Sequence, residues 1–182
     1  MADMLDVKRK MTLKERYRSS RPFRWTVDLC VLLGIVLAVG AFQTRNHPRG
    51  AAPAYTFTTL EQAPVTLSSL AGKPTLLAVW APWCGVCKAE SGNVSRARAW
   101  LGSRANVISV ATAFNDVSEV RQYMAAQGVD YPVLLAQEDF QRVMHVEAFP
   151  TVFVLDSQGR IVSSMQGYTT TLGLVWRTLW AG

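Results

Sequence analysis

Histidine and cysteine are scarce in these 182 residues: two of the first, three of the second. Three cysteines cannot staple a small disulfide-rich fold, so the core must come from apolar packing, for which the length suffices. A structural zinc site needs four ligands. Cys84 and Cys87 would have to be completed from Cys30, His47 and His145, and neither histidine has a useful spacing to Cys84. No metal site is expected. Internal repeats and low-complexity segments are also missing. The body of the chain has almost no excess charge. The net charge is +6, but residues 1–25 hold eight Lys/Arg and three Asp/Glu, or +5, which leaves eleven against ten, or +1, for the rest. Basic character confined to a tail does not make a nucleic-acid-binding face, so no nucleic-acid partner is expected.

One stretch lacks charge altogether. Leu29–Phe42 is uninterrupted apolar sequence, and Trp25–Gln43 approaches the roughly 20 residues of a membrane span if Asp28 is accepted near one end. The basic block lies before it, which by the positive-inside rule keeps the N-terminus in the cytoplasm and places everything after Gln43 outside. The reading is a basic tail over 1–24, a signal anchor over 25–43, a linker over 44–54 and a folded domain over 55–182. A cleaved signal peptide competes, because Ala38-Val39-Gly40 are small. A buried helix of the folded domain would leave the charge block unexplained. Cys30 stands near the start of the run, where a lipoprotein cysteine would not, and reads as an inert apolar residue. His47 reads as a solvated linker side chain.

From Tyr55 strand-like and helix-like stretches alternate. Tyr55–Thr58 and Val65–Leu67 read as short strands, and residues 75–81 (TLLAVWA) as a buried strand. A helix is predicted from the Cys84 turn to Leu101, and a strand over Asn106–Ala111. Asp116 caps a helix that ends at Gly128. Val133–Leu135 is a strand and Glu138–Met144 a short helix. Thr151–Leu155 and Ile161–Met165 form a hairpin across Asp156-Ser157-Gln158-Gly159. Thr169–Thr171 open a last helix with Leu172, Val175, Trp176 and Leu179 on one face. The sum is an α/β sandwich around a mixed sheet.

Within this frame WAPWCGVCKAE, residues 80–90, carries the chemistry. A disulfide across so small a loop constrains little unfolded chain and makes a poor staple. A redox role has a mechanism. A cysteine where a buried strand gives way to a helix meets unpaired N–H groups and the positive end of the helix dipole, which together favour the thiolate. Cys84 then attacks a disulfide, and Cys87, one turn deeper, resolves the mixed disulfide. Soft thiolates also suit Cu(I), and a copper carrier is the competing class, with His145 as its one distant histidine.

WAPWCGVCK after TLLAV resembles the thioredoxin active-site motif, and FPTVFVLDSQGRI, residues 149–161, resembles that fold's cis-proline strand, turn and following strand. The likeness runs from about Tyr55 to Gly182. With the anchor, the SSLAGKPTLL lead-in and the extra segment between roughly 116 and 136, the chain is similar to membrane-tethered TlpA/ResA/DsbE-like disulfide oxidoreductases. The resemblance implies a thioredoxin-like three-layer sandwich with a mixed central sheet, behind an N-terminal transmembrane helix. It implies Cys84 as nucleophile, Cys87 as resolving cysteine and Pro150 as the cis-proline. Phe149 would offer backbone to substrate, and Trp83 would flank it. It implies no cofactor beyond the Cys84–Cys87 disulfide.

The family also has a buried acid under its disulfide, and Ala78 stands there instead. Glu90, three residues past Cys87 on the same side of the helix, matches a glutamate of the tethered branch and is the candidate proton-handling residue; a solvated helix carboxylate is the alternative. Where that branch follows the glutamate with a kinking proline, this chain has Ser91-Gly92. The implied location is a bacterial inner membrane with the domain in the periplasm. The implied partners are exported cysteine-containing proteins, haem-attachment thiols among them, and a transmembrane thiol electron donor. With Gly85-Val86 between the cysteines and no cation there, a reductant is favoured over an oxidant.

Overall fold

The computed structural model describes residues 21–137 and 139–182. Most of the basic tail, residues 1–20, lies outside them, as does Glu138. In chain order the elements are α1 (Arg21–Gln43), β1 (Gly50–Ala51), β2 (Thr56–Thr59), β3 (Pro64–Thr66), β4 (Thr75–Trp80), α2 (Gly85–Leu101), β5 (Asn106–Ala111), α3 (Val117–Gln127), β6 (Val133–Leu135), α4 (Asp139–Val143), β7 (Thr151–Leu155), β8 (Arg160–Gln166) and α5 (Thr171–Trp180). A 3-10 turn, Leu67–Leu70, follows β3. It takes Leu67 out of the strand expected there. Contacts divide the chain into two units, one ending at Phe42 and one running from Gln43 to Gly182. Helix α1 is long and apolar enough to cross a membrane.

The strands form one mixed sheet in the order β1-β8-β7-β4-β5-β6-β2-β3. β4, β5 and β6 run parallel; β7 lies antiparallel to β4, and β8 to β7. β4 and β5 have almost nothing polar to turn toward solvent, and both are buried nearly throughout. Their alternation feeds two cores. Leu77, Val79, Ile108 and Val110 face Phe57, Phe140 and Met144 on the side of α4. Leu76, Ala78 and Val107 face Val94, Ala97 and Leu101 of α2 and Leu174 and Val175 of α5 on the other. At one end of that second face, Trp80 and Ala111 meet Val120 and Tyr123 of α3. Helices on both faces of a mixed sheet make the three-layer sandwich.

Local signals explain the boundaries. Asp116 accepts from the Ser118 N–H at 2.7 Å and caps α3. Gly128 closes it at φ 59, where a Cβ would be strained. Asp156 accepts from the Gln158 and Arg160 N–H groups and pairs with the Arg160 side chain, which fixes the β7–β8 turn.

Two expectations change. The buried face of α5 is Thr171, Leu174, Val175 and Thr178, while Leu172, Trp176 and Leu179 are exposed. The threonines go inside because their hydroxyls have partners: Thr178 donates to Leu174 O at 2.8 Å, and Thr171 lies against Asn93 and Arg96. The stretch 44–54 is also more than a tether. Gly50–Ala51 pair with β8, and His47 is buried with its ring 5.3 Å from that of Phe153. Neither His47 nitrogen has a hydrogen-bond partner among the described residues.

Burial holds the His47 pKa below its usual 6.5; nearby Glu147 opposes the shift and His145 adds to it. The folded chain therefore resists protonating His47 while the unfolded chain accepts the proton, so stability falls as the pH drops below about 6.5. His47→Leu removes that acid-side loss. The check is urea denaturation of both proteins at pH 7 and pH 5: the gap between them shifts in favour of the variant at pH 5.

Candidate active site

β4 ends at Trp80 and the chain turns through Ala81-Pro82-Trp83 into α2. The turn is closed by the Cys84 N–H, which donates to Ala81 O at 3.1 Å. Cys84 is the N-cap of α2, with extended backbone at φ −76 and ψ 111. Its carbonyl accepts from Lys88 N–H, and its Sγ accepts from Cys87 N–H at 3.1 Å. Cys84 thus occupies the cap position where a serine or aspartate oxygen would receive an orphan N–H. A sulfur there gains most from that donor when it is an anion. Cys84 and Cys87 are joined as a disulfide. They are 5% and 2% exposed, with Cys87 on the inner face of the helix.

Trp83 stands out from this turn, 66% exposed. Its position is nevertheless fixed. The indole N–H donates to Ala113 O at 2.9 Å, and the ring meets Phe149 edge-on at 5.7 Å. It walls a groove with Lys88, Glu119 and Tyr123. Phe149–Pro150 is a cis peptide. Antiparallel pairing of β7 with β4, Thr151 opposite Val79, brings it to the sheet end where the cysteines sit. Phe149 packs against the cluster that holds both cysteines.

Glu90 is the unusual carboxylate. Its place on the inner face of α2 leaves it 2% exposed, so it is not a solvated helix residue. Oε1 accepts from the Thr169 N–H at 2.7 Å. Burial pushes the carboxyl up from an ordinary 4.5 to about 7, against the opposing pull of that N–H. Ala78 is buried in the apolar core on this face, as the sequence implied, and supplies no acid. The neighbouring Ser91 hydroxyl hydrogen-bonds Tyr131 at 3.1 Å.

The wider setting of Glu90 had no strong sequence signal. Asn93, one turn on, donates to Thr169 O at 2.9 Å. Glu90 and Asn93 thus hold both polar groups of the Thr169 backbone. Arg96, one turn further, donates to Asn93 Oδ1 and to Thr171 Oγ1. Gly167 N–H donates to Pro150 O at 2.8 Å. The short β8–α5 loop therefore links the active-site helix to the cis-proline. The one available hint was the spacing of Glu90, Asn93 and Arg96, three polar residues on one helical face. Ala113, whose carbonyl fixes Trp83, takes φ 53, a left-handed backbone that no local sequence feature announces. His145 lies just beyond α4, exposed and remote in sequence from the pair.

Residues 48–172 match the family model described as Redoxin. The chain is 26% identical over 112 residues to the thioredoxin-like protein YneN of Bacillus subtilis, covering 60% of this chain and 66% of that protein. It is 27% identical over 107 residues to the thiol-disulfide oxidoreductase ResA of the same organism, covering 58% and 60%. The match thus spans about two thirds or less of those relatives' own lengths. In fold it is similar to a thiol:disulfide interchange protein of the thioredoxin family from Chlorobium tepidum, at a TM-score of 0.64 and 23% identity, over 75% of this chain and 98% of that one.

Proposed function

Because the chain belongs to the redoxin family, we propose that it is a thiol:disulfide oxidoreductase of ResA/DsbE type acting through Cys84 and Cys87, and that it works as a reductant. The Cys84 thiolate attacks one sulfur of a target disulfide and expels the other as a thiolate. Cys87 then attacks Cys84 Sγ, releases the reduced target and closes the Cys84–Cys87 disulfide. Two electrons leave the pair in each cycle. A thiol donor spanning the membrane restores them. The targets are exported proteins with oxidised cysteines.

The observation that carries the direction is the buried Glu90 one helical turn beyond Cys87. A strong oxidant depends on an exceptionally stabilised thiolate. Here the pair has Gly85-Val86 between its cysteines and a carboxylate behind, and negative charge near a developing thiolate disfavours it. Equilibration with dithiol buffers should place the pair nearer the roughly −270 mV of thioredoxin than the roughly −120 mV of DsbA. A value at the oxidising end would reverse the direction.

The same proposal puts α1 in a bacterial inner membrane as an uncleaved anchor, with residues 44–182 in the periplasm. The basic block before α1 supports that orientation. Carbonate extraction and protease treatment of spheroplasts check it: the full-length chain stays with the membrane and its domain is cut from outside. A soluble mature form beginning near Phe42 would mean a cleaved signal.

A further inference from the structure

Helix α5 turns the wrong side outward for a soluble domain. Trp176 is 62% exposed and Trp180 77%, and their rings lie 5.5 Å apart. They line a groove of about 580 Å³ with Val162, Arg160 and Arg177. Trp100, in the last turn of α2, is 54% exposed. Topology brings these residues to one end of the molecule. Asn106, just past α2, donates from its N–H to Pro74 O at the start of β4, and the last residue of the chain, Gly182, lies against Pro74. The ends of α2 and α5 therefore share the pole where β4 begins. The cysteines follow the other end of β4. Three exposed cations lie at the same pole: Lys73 precedes Pro74, Arg104 donates to Leu101 O and Trp100 O at the end of α2, and Arg177 lines the groove. Asp156 is turned inward there and held by Arg160.

We propose that this pole is a bilayer-docking surface, on which Trp100, Trp176 and Trp180 enter the headgroup region of an anionic membrane and Lys73, Arg104 and Arg177 meet lipid phosphates. Indole rings with one apolar side and one N–H are suited to that region, and basic side chains beside them are attracted by anionic headgroups. The inference rests on the reading of α1 as an uncleaved span. The chain itself names the occupant. Three residues separate Gln43, the end of α1, from the buried His47, and even extended they reach no more than about 14 Å. β1 runs antiparallel to β8 and heads toward this pole past Ile161 and Arg160, so the tether joins the sheet edge partway along β8, where His47 packs on Phe153, and holds that edge close to the bilayer. Docked this way, the Cys84–Cys87 pair faces away from the lipid, toward soluble targets.

The test uses the full chain reconstituted in phosphatidylethanolamine–phosphatidylglycerol vesicles whose acyl chains are brominated, so that only tryptophans at the lipid are quenched. Wild type is compared with Trp25→Phe and with Trp176→Phe/Trp180→Phe. Trp25 reports the anchor. The expected result is a loss of quenching in Trp25→Phe and a separate loss in the double variant, the second loss shrinking when phosphatidylglycerol is replaced by phosphatidylcholine. Disulfide exchange by the double variant stays at the wild-type rate, which shows that the fold is intact. Quenching that depends on Trp25 but not on Trp176 and Trp180 overturns the docking and leaves the anchor standing, with a protein partner as the occupant of the patch. A chain that does not float with the vesicles overturns the anchor, and the docking with it.

Discussion

Cys84→Ser reduces thiol–disulfide exchange by the full chain to background, while Cys87→Ser keeps the first half of the reaction and accumulates mixed disulfides through Cys84. The two outcomes differ because the two sulfurs occupy different places on α2. Cys84 is the cap, beside the exposed Trp83 and Gly85, and receives the Cys87 N–H. Cys87 points to the inner face with Ala81, Val120 and Tyr123 in its cluster. The end of a helix favours an anion by roughly 0.3–2 kcal/mol, on the order of one pKa unit. At neutral pH that difference gives Cys84 the larger thiolate fraction and the faster attack. Timed alkylation of the reduced chain, read by mass spectrometry, should label Cys84 first. Faster labelling of Cys87 would exchange the two roles.

Glu90→Gln is expected to abolish a pH dependence that the wild type cannot avoid. In the folded chain the carboxyl is held near 7; in the unfolded chain it returns to about 4.5. Between those values the folded state binds the extra proton, so wild-type stability falls as the pH rises through this window and levels off above it. The full loss is on the order of 3 kcal/mol. Glutamine keeps an oxygen for the Thr169 N–H and carries no charge at any pH, so its stability lacks this decline. The variant is close to wild type at pH 4.5 and more stable at pH 8.5, as measured by urea denaturation with the disulfide intact. In the reduced protein, removal of the carboxylate also lowers the apparent thiol pKa values, read as thiolate absorbance against pH. Stability curves that run parallel for the two proteins would mean that Glu90 ionises like a surface carboxylate.

What the sequence revealed depended on how local the cause was. β4, β5 and β7 were legible because five- and six-residue runs with hardly a polar side chain have no solvated face to offer. The limits of α3 were legible because a capping aspartate and a left-handed glycine act within a residue or two of themselves. The cysteine pair was legible for the same reason. Glu90 is legible as a candidate, but its partner is a backbone N–H 79 residues away, and a backbone group leaves no mark in a sequence. The buried face of α5 differs from the one its sequence pattern predicts, because a helical wheel ranks residues by apolarity alone. It cannot show that Thr171 and Thr178 have hydrogen-bond partners inside while Trp176 and Trp180 do not pack there. The burial of His47 is not legible because its partner, Phe153, is distant in sequence and the two-residue strand that follows is too short to carry a periodicity.

That two-residue strand bears on how the domain tolerates being cut free. Among the described residues β8 has β7 on one side, and on the other β1, which covers Ile161 and Arg160. A chain trimmed to begin at Tyr55, where strand-like sequence first becomes obvious, discards β1 and the His47 ring together. It strips a neighbour from Phe153 and adds Arg160 and Ile161 to the part of β8, residues 162–166, that β1 leaves uncovered, so that the whole strand becomes a bare edge with unpaired backbone groups. Such an edge invites a second copy to pair with it. A chain trimmed just after Phe42 keeps the cover. Self-association at high protein concentration, seen in the shorter form and absent from the longer, would be the mark of that missing strand.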